Sequence, residues 1–138
     1  MEYSITWGGD PEDVCFSTQG PCRLLDISSM TQEAVGDPRW REGLNVLIDH
    51  TLSDWSAMTP DELNELAQLL GELAQDFGKQ RVAVVFGDPE SFRAGRLVGL
   101  PLDRNVPWFG HAFDSLADAR QWLREPPDQA VPHILPRW

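Results

Sequence analysis

Asp49 and His50 stand side by side at the end of an apolar run, and a histidine beside a carboxylate is the pairing that general acid–base chemistry uses. No serine, threonine or cysteine is placed by spacing as its nucleophile, and neighbours on a strand point to opposite faces, so the plainer reading is a loop histidine without a catalytic role. His111 sits between apolar residues and is expected to be packed; His133 lies near the C-terminus. The three histidines show no metal spacing such as i, i+4 on a helix. Asp10, Glu12 and Asp13 carry the charge of a calcium loop without its ligand spacing, which makes them a solvated turn. Cys15 and Cys22 are too far apart for a CxxC pair and have no second pair to complete a zinc site; a bridge between them is geometrically possible if both flank one turn, but two reduced, partly buried thiols are expected of a cytosolic chain. These residues lead to no catalytic residue, no metal and no cofactor.

The elements that would position any site are clearer. Asn45 to Ile48 reads as a buried strand that ends at Asp49. His50 to Met58 reads as a polar loop. Thr59-Pro60-Asp61-Glu62 then opens the longest helix, with Thr59 as cap, Pro60 at the first helical position and Glu62 closing a capping box. Leu63, Leu66, Ala67, Leu70, Leu73, Ala74 and Phe77 form its apolar stripe, and Gly78 ends it. A strand that feeds a one-faced helix places a site where the strand stops and the helix begins.

Around that unit, Tyr3 to Trp7 and Val14 to Thr18 form a predicted hairpin across Gly8-Gly9-Asp10-Pro11. Cys22 to Val35 is read as a helix, although Leu24 to Ile27 would also fit a strand. Trp40 follows and is expected to pack over the end of that helix. Val82 to Phe86 is apolar at every position, as a central strand covered on both faces requires. Asp88-Pro89 caps a further helix on which Phe92, Gly95, Val98, Gly99 and Leu102 point the same way, although Pro101 is expected to end it first, with Gly95 and Gly99 allowing a close approach to the sheet. Pro107 to Phe113 is the last strand, and Ser115 with Asp118 caps a final helix bearing Leu116, Ala119, Trp122 and Leu123. Residues 1–125 read as one α/β domain and 126–138 as a proline-rich tail.

Strand, strand, helix, then strand–helix three times over implies a mainly parallel sheet with an antiparallel start. In this order, Asp37-Pro38-Arg39-Trp40, Val46-Leu47-Ile48-Asp49, Leu52-Ser53, Thr59-Pro60-Asp61-Glu62-Leu63 and Phe113-Asp114-Ser115 resemble the SpoIIAA-like branch of the STAS superfamily. The resemblance spans roughly residues 3–124 and implies a STAS-like mixed sheet with an N-terminal hairpin. It also implies a bacterial, non-enzymatic regulatory or protein-interaction module like the anti-sigma-factor antagonists. Relatives compared with SEC14 domains imply an alternative, a binder of an apolar small molecule or lipid. That ligand would sit between the sheet and the helices starting at Thr59 and Asp88, with Phe86, Phe92, Arg93 and Arg96 as its pocket.

Members of the family are regulated by phosphorylation near the start of the helix after the third strand, where amide donors and the helix dipole favour negative charge. By that resemblance Ser56, then Ser53, would be the modified hydroxyl. The sequence here is Ser53-Asp54-Trp55-Ser56 and lacks the glycine and paired hydroxyls usual at this place. His50, Ser53, Asp54, Trp55, Ser56 and Thr59 make up the expected interaction loop. Trp55, one of six tryptophans in 138 residues, is its expected exposed anchor.

The formal net charge of −11 argues against nucleic acid and anionic lipid surfaces as partners. No stretch approaches the roughly 20 apolar residues of a membrane span, and the start lacks a secretion signal, so a cytoplasmic protein is expected. A protein partner is expected, and a homodimer stays open.

Overall fold

The computed structural model describes residues 1–97 and 109–125. Val98, Gly99, Leu102, Trp108, the Pro107 strand start, the tail 126–138 with Trp138, and the side chain of Arg96 lie outside the described residues. The elements are β1 (Glu2–Trp7), β2 (Val14–Pro21), α1 (Leu24–Val35), β3 (Asn45–Asp54), α2 (Pro60–Phe77), β4 (Arg81–Phe86), α3 (Pro89–Leu97), β5 (Phe109–Phe113) and α4 (Leu116–Arg124). The ambiguous segment after Cys22 is thus a helix.

The five strands lie in the order β1-β2-β3-β4-β5. β1 and β2 are antiparallel, and the remaining pairs are parallel. Each parallel crossover moves one strand further in the same direction. Right-handed crossovers of that kind put their helices on one face. Residues of α1, α2 and α3 accordingly share one apolar cluster with Val46, Val82, Val84 and Phe86, while α4 buries Ala119, Trp122 and Leu123 against Leu47, Ala83 and Val85 on the other face. β4 alternates between the two clusters, which is why its sequence is apolar throughout.

Trp40 packs against the end of α2. Its indole Nε1 donates to the Phe77 carbonyl at the end of α2 (3.0 Å), and its ring lies 4.9 Å from that of Phe77. The indole satisfies one of the carbonyls that a helix end leaves open. Arg81 does the same for α4: its guanidinium donates to the carbonyls of Trp122 (2.7 Å) and Glu125 (2.7 Å) and lies over the Trp122 ring.

β3 runs past its expected end. It pairs with β2 at Ser17–Asp49 and next at Gln19–Leu52, so β3 carries one extra residue. This bulge shifts the alternation. His50 and Ser53 both turn inward, whereas Thr51 and Leu52 are exposed. The bulged Thr51 carbonyl lies where a β-carbon on Gly87 would stand, so only glycine fits there.

Candidate functional site

The expected interaction loop is therefore largely strand and core. His50 is 2% exposed, Ser53 3% and Trp55 0%. Among the described residues Trp55 is the largest fully buried side chain, and not an exposed anchor. Its ring meets those of His50 (5.1 Å) and Phe86 (5.7 Å), and its backbone amide donates to Ser91 Oγ (3.1 Å). Ser91 in turn donates to Asp88 (2.9 Å), whose carboxylate also caps α3 through the Ser91 amide (2.8 Å). Asp88 is the cap the sequence indicated; Ser91, fully buried, is a residue the sequence reading missed. Its one local signal is its place three residues after that cap.

Asp49 and His50 are divided by the pleat. The Asp49 carboxylate accepts from the Thr51 amide (2.9 Å) and from the Thr51 hydroxyl. His50 points to the opposite face, where Nδ1 lies 2.6 Å from Thr18 Oγ1. Thr18 also lies 3.3 Å from the Asp49 carbonyl, to which it can donate. Burial pushes the imidazole down to about 4, against a weaker upward pull from Asp49, so the ring is neutral at pH 7. Thr18 was also missed; nothing local marks a strand threonine as a histidine's partner.

His50 and Trp55 line a cavity of about 40 Å³ between the sheet and the α1–α2 layer, walled otherwise by apolar side chains and by Thr31, whose hydroxyl donates to Ile27 O. A separate open cleft of about 250 Å³ lies between the starts of α2 and α3. Its floor is Met58, Leu63 and Ala94; Ser56, Glu90 and Arg93 stand around it. Ser56 is exposed, with its amide (2.9 Å) and hydroxyl (2.6 Å) on Asp54 Oδ1, and these bonds hold the Asp54 carboxyl below its usual range. Ser53 instead donates to Gly20 O (3.2 Å) inside the fold, so it is closed to modification there. Thr59 and Glu62 form the expected capping box (3.1 and 3.3 Å).

The other pocket residues divide. Arg93 is exposed at the cleft, while Phe86 and Phe92 are buried against each other (6.0 Å). Phe86 lies so near Gly95 that a β-carbon there would collide with its ring, which is the close approach expected of that glycine. Trp55, Phe86 and Phe92 thus pack together between the sheet and the starts of α2 and α3. Cys15 and Cys22 are unpaired, and burial raises both thiols, Cys22 to about 12. Among the described residues, no three His, Cys, Asp or Glu side chains converge on a common point, and no helix is long and apolar enough to cross a membrane.

No family model matches the sequence, and no curated protein does. Among solved structures, the chain is similar to an uncharacterised protein of the DUF3478 family with a SpoIIAA-like fold, from Shewanella loihica PV-4. The identity is 18%, the TM-score is 0.54, and the match covers 88% of this chain and 92% of that one. The fold is SpoIIAA-like, with a mixed five-stranded sheet and four helices among the described residues.

Proposed function

We propose that the chain is a non-enzymatic regulatory module that binds a protein partner through the cleft between the starts of α2 and α3. The observation that carries this reading is the make-up of the cleft: an apolar floor of Met58, Leu63 and Ala94 edged by Ser56, Glu90 and Arg93. That is the anatomy of a small protein interface, an apolar centre within a polar rim. Asp61, Glu65, Glu72 and Asp76 are exposed along α2, and no Lys or Arg occurs between Trp55 and Gly78. A partner that reaches the cleft along α2 is favoured if it is basic. Ser56 is the regulatory hydroxyl of this reading: phosphate there would add negative charge beside Arg93 and alter the rim. The unpaired cysteines suit a reducing compartment, hence a cytoplasmic setting. The alternative, an apolar ligand under the starts of α2 and α3, would have to share that space with the rings of Trp55, Phe86 and Phe92.

The test is native mass spectrometry of the protein purified from its own host, beside Met58→Asp and Ser56→Glu. A partner mass seen with the wild type and lost with both variants supports the cleft. A partner retained by both variants would place the interface elsewhere.

A further inference from the structure

β1 is an edge of the sheet, and its free side follows from its bonded one. The Gly8 amide donates to the Asp13 carbonyl (2.9 Å), one step beyond the Trp7–Val14 pair. Hydrogen-bonded pairs in an antiparallel ladder recur at every second residue, so Thr6, Ser4 and Glu2 bond to β2. The far side of β2 agrees. There the Cys22 amide donates to the Asp54 carbonyl of β3, which turns the even residues of β2 to β3 and the odd ones to β1. Tyr3, Ile5 and Trp7 therefore point their N–H and C=O groups away from the sheet. Among the described residues no backbone hydrogen bond outside the strands uses them. Natural edges are commonly blunted by lysine, proline or a bulge. β1 has none of these: it reads Glu-Tyr-Ser-Ile-Thr-Trp, and its pairing to β2 is unbroken.

We infer that β1 pairs antiparallel with β1 of a second copy, across a two-fold axis at Ile5, and joins the two sheets into one. This register uses every free group. Tyr3 meets Trp7 of the other copy, Ile5 meets Ile5, and each such pair exchanges two hydrogen bonds. The sequence is complementary to itself in it. On the α1 face, where Ile5 and Trp7 pack against the core, aromatic stands beside aromatic and Ile5 beside Ile5. On the other face Ser4 meets Thr6 and Glu2 meets Gly8, so no like charges stand opposite. The flanks match as well. Arg39 lies over the Trp7 ring (4.7 Å), and the Tyr3 hydroxyl is hydrogen-bonded to Glu33 of α1. Setting Tyr3 beside Trp7 brings Glu33 of each copy towards Arg39 of the other, and both side chains are exposed. That attraction works against the repulsion between two chains of net charge −11. The seam is small, so the dimer it makes is weak and concentration-dependent. It shares no residue with the α2–α3 cleft and stands or falls without it.

The test is sedimentation velocity from about 10 µM to about 1 mM, the range suited to a small interface, with amide hydrogen exchange read at both ends. The wild-type mass is expected to rise towards that of a dimer. The Tyr3, Ile5 and Trp7 amides should slow with it, while those of Ser4 and Thr6, already bonded to β2, should not change. Glu33→Arg or Arg39→Glu should weaken the dimer about tenfold, and the two together should restore it to within a few-fold. Ile5→Pro removes an outward N–H without touching the β2 ladder and should abolish the dimer. A protein that stays monomeric at about 1 mM overturns the inference. So does a dimer that forms with the Tyr3, Ile5 and Trp7 amides unchanged, or one that the exchanged charges fail to recover.

Discussion

Lowering the pH from 7 to 4.5 should destabilise this protein through His50, ahead of the losses that Asp37 and Asp54 contribute. The imidazole is fully enclosed by Thr18, Trp55 and Phe86, and burial lowers it from the ordinary value near 6.5 to about 4. The unfolded chain therefore binds a proton that the folded chain refuses throughout the interval between those values. Stability is fully present above pH 6.5 and is lost as the pH falls towards 4. With those two values, linkage gives a loss of about 1 kcal/mol by pH 5.5 and about 2 kcal/mol by pH 4.5, and the loss levels off at about 3 kcal/mol below pH 4. For a domain of this size the loss at pH 4.5 corresponds to a melting point lower by about 5–10 °C. Asp37 and Asp54, whose carboxyls hydrogen bonds hold below their usual range, contribute their own losses only beneath about pH 4. The two windows are therefore separate.

The assay is urea unfolding at half-unit pH steps from 7.5 to 4.5, on the wild type and on His50→Asn. Asparagine keeps an N–H near Thr18 and removes the titration. The variant should be less stable at pH 7, because it enlarges the cavity, yet its profile should be the flatter of the two from pH 6.5 to 4.5. Parallel profiles for the two proteins would refute the reasoning, since the slope would then belong to other groups.

Other substitutions test the packing. Trp55→Ala should cost about 3–5 kcal/mol in denaturant unfolding, as for a large buried aromatic, and not the near-zero change of a surface residue. Gly87→Ala should cost about 2–3 kcal/mol, because its β-carbon would meet the Thr51 backbone, which cannot rotate away; an unchanged urea midpoint would contradict the bulge. Arg81→Met should destabilise by about 1–3 kcal/mol through the α4 carbonyls it leaves bare, with hydrogen exchange rising first in the last turn of α4.

The order of elements was legible because each rests on local signals. Thr59 and Asp88 cap their helices by accepting from backbone amides three residues on, and β4 declares its central place by being apolar at every position bar its first. Where both faces of an element are specified by nearby residues, a single sequence suffices. The site was less legible because its contacts are long-range. Thr18 meets His50 from a strand far earlier in the chain, and Ser91 receives the Trp55 amide from the cap of a helix much later. Trp40 also reaches across the chain, to the end of α2.

The misreading of Trp55 has a specific cause in the bulge of β3. Beyond Asp49 the alternation slips by one residue, so the string His-Thr-Leu-Ser-Asp shows no period of two and reads as loop. Yet the strand continues, and its continuation delivers Trp55 beneath α3, where Ser91 and Phe86 hold it. One consequence bears on function. Ser56 follows a residue that cannot move without opening the core, and its hydroxyl is held by Asp54 on the other side of that residue. An exposed hydroxyl fixed between a buried ring and a capped helix presents any added charge at a defined place in the cleft rather than on a mobile loop. Its effect on a partner should therefore be sharp, and a softer loop around Trp55 should blunt it.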